Sequence, residues 1–242
     1  MSGHSKWHNI QKTKGAADAK KAKIFTKYAR EMAIAIKEGG SADPNSNSKL
    51  AAVITRAKSE NVPNDNIKRT LDKYKSGAAA ENYEYAAYEG YGPGGIAVIV
   101  ETLTDNKNRT VSEVRHYLDK YGKGMGASGC VSWQFDKKGF IAIDGEDLDE
   151  ETVMMQALEA GASDFQVEDG VFEIYTEPDD FDAVKEALAK EGFQFLEAEV
   201  QMIPQTYTTL SNEDDIKNME KMLDLMEEND DIQAVWHNWD RD

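Results

Sequence analysis

Apolar positions recur at helical spacing through the first third of the chain. Ile24, Tyr28, Met32, Ala35 and Ile36 fall in one broad sector at about 100° per residue. That pattern predicts an amphipathic helix begun by Asp18 and stopped at Gly39-Gly40. SADPNSNSKL, residues 41–50, is turn and cap chemistry. Leu50, Val53, Ile54 and Ala57 predict a second helix ending near Asn61, before Pro63 breaks it. Asn64 or Asp65 starts a third, with Ile67, Leu71 and Tyr74 on one side and Ser76-Gly77 at its end. Three short amphipathic helices bury a common core only by packing together. GAAAEN, residues 77–82, reads as a linker.

The pattern then changes. Ile96–Val100 is a short apolar run after Gly92-Pro93-Gly94-Gly95, the signature of a buried strand after a turn. Val111, Val114, Tyr117 and Leu118 return to helical spacing, and Cys130–Phe135 alternates as a strand would. Phe140–Ile143 predicts a strand, and Asp149 to Ala160 a helix with Val153, Met154, Ala157 and Leu158 inward. Two strands flank the Asp169-Gly170 turn; a helix over Phe181–Lys190 and a strand over Phe193–Ile203 follow. The order β-α-β-β-α-β is the ferredoxin-like split unit. EPDDFDAVKEALAKEGFQFLEAEV and SNEDDIKNMEKMLDLMEENDDIQAVW share a turn, an acidic pair, a helix and a strand, which is a weak internal repeat. The fold expected is therefore α+β: an N-terminal three-helix domain (1–80), followed by two ferredoxin-like α+β domains, one inserted in the other. The insert is 135–204, and its host is 81–134 with 205–242.

Charge divides along the same boundary. Residues 1–80 hold sixteen Lys and Arg against seven Asp and Glu, a net +9. The remainder holds twelve against thirty-eight, a net −26 within a total of −17. A cationic segment on an anionic body points to a polyanionic partner. On the first helix Lys20, Lys23, Lys27 and Arg30 share a sector of roughly 80°, away from the apolar one. Lys6, Lys12 and Lys14 precede it, and Arg56, Lys58, Lys68, Arg69, Lys73 and Lys75 follow. Trp7, between cations, suits either stacking on a base or a fold-back contact with the helices.

Several chemistries lack their residues. YGPGG (91–95) has no lysine and hydroxyl of a phosphate loop and precedes a strand. GKGMGASG (122–129) reads as a long mobile loop whose backbone could approach a ligand. Cys130 has no base at a recognisable spacing and reads as a core thiol. His4 and His8 have no further ligand for a metal. Acidic pairs such as Asp214-Asp215 and Asp230-Asp231 read as helix starts and solvated turns. Neither an enzyme nor a cofactor or metal site is expected. With one cysteine there is no internal disulfide, which suits the cytoplasm. The polar, lysine-rich start is not a secretory signal, and no apolar run reaches the ~18–20 residues that span a membrane.

SGHSKWHNIQKTK, DAKKAKIFTKYAREM, DPNSNSKL, NVPNDNIKR, YEGYGPGG, ETLTDNKNRT and GCVSWQFDKKG occur in the order and spacing of one family. Over essentially its whole length the chain resembles the YebC/PmpR family of probable transcriptional regulatory proteins, which has mitochondrial translational activator relatives. The resemblance implies a helical domain and two α+β domains, one inserted in the other. It also implies a DNA-binding transcriptional regulator or, alternatively, a ribosome-associated, RNA-binding translation factor. QKTKGA stands where many members have a QxRK-like segment, and GKGMGASGC replaces the more usual GGNLGxxGS. The residues expected at the nucleic acid are Lys6, Trp7, Lys12, Lys14, Lys20, Lys23, Lys27 and Arg30, with DNA, or ribosomal RNA, as partner. The acidic α+β domains offer a surface to a protein partner, and no membrane is implied.

Overall fold

The computed structural model describes residues 17–76 and 82–241, with side chains on the first helix from Ile24 onward. Lys6, Trp7, Lys12 and Lys14 lie outside the described residues, as does most of the expected linker. The elements in chain order begin with α1 (Ala17–Gly39), α2 (Ser48–Ser59) and α3 (Asn64–Lys75). Next come β1 (Glu84–Tyr91), β2 (Ala97–Thr104), α4 (Lys107–Tyr121) and β3 (Gly124–Met125). Then follow β4 (Phe135–Asp144), α5 (Glu150–Glu159), β5 (Asp164–Glu168), β6 (Val171–Thr176), α6 (Phe181–Lys190) and β7 (Phe195–Pro204). The last are β8 (Thr208–Thr209), α7 (Glu213–Glu228), β9 (Ile232–His237) and β10 (Trp239–Asp240).

The described residues form two compact units. One contains residues 17–76, 82–130 and 212–235. Its helical part buries Tyr28, Met32, Leu50, Val53, Ala57 and Ile67 in one cluster, the face given by the apolar spacing. Asn47 locks the α1–α2 corner: its Oδ1 accepts from Leu50 N at 3.1 Å, and its Nδ2 donates to the Ala35 carbonyl at 2.8 Å. A Cβ on Gly39 would come within 2.3 Å of that amide, so glycine ends α1 for lack of room as well as for its flexibility. The sheet of this unit runs β3-β1-β2-β9, with the antiparallel β1–β2 hairpin at its centre. Val98, Val100, Val114, Leu118, Met219, Met222 and Met226 are buried in this unit.

The other unit contains residues 131–211 and 236–241 among those described. Its four-stranded sheet has the order β5-β6-β4-β7, with β5–β6, β6–β4 and β4–β7 all antiparallel. This is the strand order of the ferredoxin-like split unit. Ile141, Ile143, Phe172 and Ile174 meet Val153, Ala157, Val184 and Leu188 of α5 and α6. At the β5–β6 turn both Asp169 (φ 49°) and Gly170 (φ 80°) have positive φ, as a two-residue hairpin of the primed type requires. β8 and β10 pair in parallel, Trp239 opposite Thr208.

Three local expectations change. Cys130–Phe135 is not one strand: Ser132–Gln134 makes a single 3-10 turn and the strand begins at Phe135. The Cys130 carbonyl is taken by the Tyr91 hydroxyl at 3.1 Å, and Gln134 N–H donates to Val131 at 2.9 Å, so neither can enter a ladder. β1 was not signalled by the pattern, because EYAAYEGY mixes small and aromatic residues without clear alternation. Leu158 is 49% exposed rather than inward, since α5 turns only Val153 and Ala157 fully to the core.

Candidate nucleic-acid interface

α1 is placed by its apolar face, from Ile24 to Ile36. Lys20 and Lys23 are carried on its backbone, and Lys27 is half-buried. On the neighbouring helices Lys58, Lys68, Arg69, Lys73 and Lys75 are all exposed. Lys68 and Lys75 are seven apart on α3, and Arg69 and Lys73 four apart, so each pair shares a side of the helix. Arg56 is partly occupied: its Nη2 lies 2.9 Å from Oε2 of the nearly buried Glu31. Lys49 pairs with Glu38 at the α1–α2 corner. Lys73 stands 5.4 Å from the ring centre of Tyr74.

Arg30 departs from its expected place on the cationic sector. Its side chain is only 13% exposed. Nη1 donates to the Leu103 carbonyl (2.7 Å), the Asp230 carbonyl (2.7 Å) and Asp231 Oδ1 (2.9 Å). The guanidinium also lies over the Tyr83 ring, 5.2 Å from its centre. With three acceptors and an aromatic face, it has little capacity left for a phosphate. Helical angle alone could not show this, because the carboxylate that draws it inward is 201 residues away.

Asp231 is the centre of that network and was read from the sequence as part of a solvated turn. Its side chain is 4% exposed. Oδ2 accepts from Arg109 Nη2 at 2.6 Å, Thr110 Oγ1 at 2.8 Å and Thr104 Oγ1 at 3.0 Å. Burial pushes the carboxyl pKa up, but the hydrogen bonds from Arg109, Thr110, Arg30 and Thr104 together hold it below the ordinary carboxylate value. The network joins α1, the end of β2, the start of α4 and the entry to β9. It sets how the basic helix is carried on the sheet.

The glycine-rich segment 122–129 is tied down rather than loose. Lys123 N–H donates to the Tyr91 carbonyl at 2.7 Å, and Gly126 N–H to the Glu89 carbonyl at 2.8 Å. Buried Glu89 accepts from Gly129 N–H through Oε1 at 2.7 Å. A Cβ on Gly122 would sit 2.4 Å from the Tyr91 carbonyl oxygen, so the close approach of loop and strand demands glycine there. Cys130 is partly buried, and burial with Glu89 nearby pushes its thiol pKa up, away from the reactive thiolate. Among the described residues, no three His, Cys, Asp or Glu side chains are grouped to hold a metal, and no helix is long and apolar enough to cross a membrane.

An α+β protein with a basic helical segment and antiparallel sheets is thus defined by its own geometry. Residues 5–77 match the TACO1/YebC protein N-terminal domain, and residues 83–239 match the TACO1/YebC second and third domain. The chain belongs to the TACO1/YebC family. It is 54% identical over 240 residues to a "probable transcriptional regulatory protein" of Acetivibrio thermocellus, covering 99% of each chain. A protein of the same name from Finegoldia magna is 49% identical, with 100% of each chain covered. The crystal structure of a conserved hypothetical protein from Aquifex aeolicus matches with a TM-score of 0.76 and 39% identity, over 93% of this chain and 92% of that one.

Proposed function

We propose that the chain is a transcriptional regulator that binds DNA through its basic N-terminal helical segment. The observation that carries this reading is the net +9 on residues 1–80 against a net −26 on the rest. A screening length of about 8 Å at physiological salt lets a local cationic surface act despite the anionic total. The name shared by full-length relatives at about half identity supports the regulatory role. Lys20, Lys23 and Lys27 meet phosphates, Lys6, Lys12 and Lys14 add contacts from the preceding segment, and Trp7 stacks on a base beside them. Arg30 acts indirectly, by fixing α1 on the sheet. Exposed Lys68, Arg69 and Lys75 extend the surface. The cations contact backbone phosphates, so the binding reads shape and charge more than base edges.

Titrations of labelled duplex DNA by fluorescence anisotropy test this. About six neutralised phosphates give a log–log salt slope near −5. A Lys20/Lys23/Lys27→Glu variant should lose at least tenfold in affinity; binding equal to the parent would refute the surface. The same cations would serve a ribosome-bound translation factor. Sedimentation of lysate distinguishes the two: quantitative co-migration with ribosomal subunits, without promoter enrichment, would replace DNA by ribosomal RNA as the partner.

A further inference from the structure

A second group of exposed cations lies on α4, within the otherwise anionic part of the chain. Five of its twelve Lys and Arg fall between residues 107 and 123. Two of these are paired with carboxylates: Lys107 Nζ is 2.6 Å from Glu84, and Arg109 is bound to Asp231 and Asp105; Lys120 Nζ stands 5.1 Å from the ring centre of Tyr121. Arg115, Lys120 and Lys123 are exposed, as is His116. Positions 112, 115, 116, 119 and 120 recur at helical spacing and share one face of α4. That face lines an open groove of about 580 Å³, along Val111, Ser112, Arg115, His116, Asp119 and Lys120. Lys123 follows directly after the helix, its backbone fixed by the hydrogen bond to Tyr91.

We propose that this face is a second contact for nucleic-acid backbone, separate from the basic helical segment. Arg115 and Lys120 are five residues apart, about 7.5 Å along a helix axis. A strand of B-form DNA carries one charge per about 3.4 Å of helix axis, and winding around that axis roughly doubles the distance between neighbouring phosphates. The stripe, with Lys123 beyond it, therefore faces two or three successive phosphates. The chemistry fits a phosphate backbone better than an acidic protein. Protein interfaces depend on a few desolvated aromatic or aliphatic anchors, whereas the only apolar side chain among the described lining residues is the half-buried Val111. Backbone phosphates need only cations that can reach them. Asp119 is the single carboxylate among these lining residues and opposes the contact.

The inference rests on nucleic-acid binding as read above, and the test separates the two. The full chain is titrated by anisotropy with a labelled duplex of about 30 base pairs and with an RNA hairpin of similar size, between about 50 and 200 mM salt. R115E/K120E/K123E should weaken binding at least tenfold at the lower salt. It should also make the slope shallower by about 2–3, one phosphate contributing about 0.9. D119N keeps the oxygen that accepts from Met125 N–H and should tighten binding about threefold, so the proposal does not depend on the triple variant alone. Which probe responds more identifies DNA or RNA as the source of the phosphates. If both variants bind like the parent while Lys20/Lys23/Lys27→Glu loses affinity, the α4 contact is wrong and the helical one stands. If the α4 variant weakens binding and the helical variant does not, the reverse holds. A parent that binds neither probe, or a triple variant that loses only a poly-glutamate peptide, overturns the α4 contact.

Discussion

A carboxylate with 4% of its side chain exposed is costly to desolvate unless charges and donors replace its water. Asp231 has two arginines and two threonine hydroxyls in that role. Removing it would leave Arg30 nearly buried without its charge partner. Asp231→Ala should therefore cost about 3–5 kcal/mol, read as a lower urea midpoint, whereas Asp230→Ala, at an exposed position, should change it little. Because the folded pKa of Asp231 lies below its unfolded value, its contribution is present above the ordinary carboxylate range and is lost as pH falls through the folded value.

His237 adds a second loss of stability at low pH. Burial, with Arg241 nearby, lowers its pKa to about 4. Its Nδ1 accepts from Trp239 N–H at 3.3 Å, which requires a neutral ring nitrogen. Between pH 4 and about 6.5 the unfolded chain binds a proton that the folded chain does not, so stability falls as pH drops through that window. His237→Gln should flatten this part of the profile relative to the parent in chemical denaturation at stepped pH.

At the scale of elements, the segment after α4 shows how a glycine-rich stretch becomes ordered. Sequence reasoning gives it mobility, because glycines carry no side chains to pack. The structure gives it a fixed path, because β1 supplies the Tyr91 and Glu89 carbonyls and the buried Glu89 carboxylate. Glu89→Ala should raise amide hydrogen exchange at Gly129, which loses its carboxylate acceptor, while Gly126, bonded to the retained backbone carbonyl, and the α1–α3 amides stay protected. Gly122→Ala should be worse, at about 1–3 kcal/mol, since the clash is with backbone oxygens that cannot rotate away. Elsewhere the pattern served well. The apolar face of α1 and the Leu50, Val53, Ile54 and Ala57 set of α2 are buried as their spacing requires. Leu158 was misplaced because a ten-residue helix over a sheet has room for few inward positions.

At the scale of the whole molecule, the separation of charge along the chain governs the expected behaviour. Binding dominated by phosphate contacts should fall by orders of magnitude between about 50 and 200 mM salt. The anionic remainder, at a net −26, should suppress association with nucleic acid everywhere except at exposed cation clusters. Lys20/Lys23/Lys27→Glu in the full chain should therefore leave only weaker DNA binding, measurable at low salt and sensitive to the α4 cations.

Local periodicity and charge count determined, from the sequence alone, the three helices, the split β-α-β-β-α-β order and the charge asymmetry, while the family resemblance rested on the ordered motifs. These features depend on neighbours a few residues apart or on sums over a segment, and both are written linearly in the chain. The tertiary structure alone decided that Arg30 points inward, that Asp231 is a buried hub rather than a wet turn, and that α4 carries accessible cations while Lys107 and Arg109 are occupied. Each depends on a partner brought near by folding across tens to hundreds of residues. A side chain's helical angle fixes its direction, but what waits there is set by the rest of the fold.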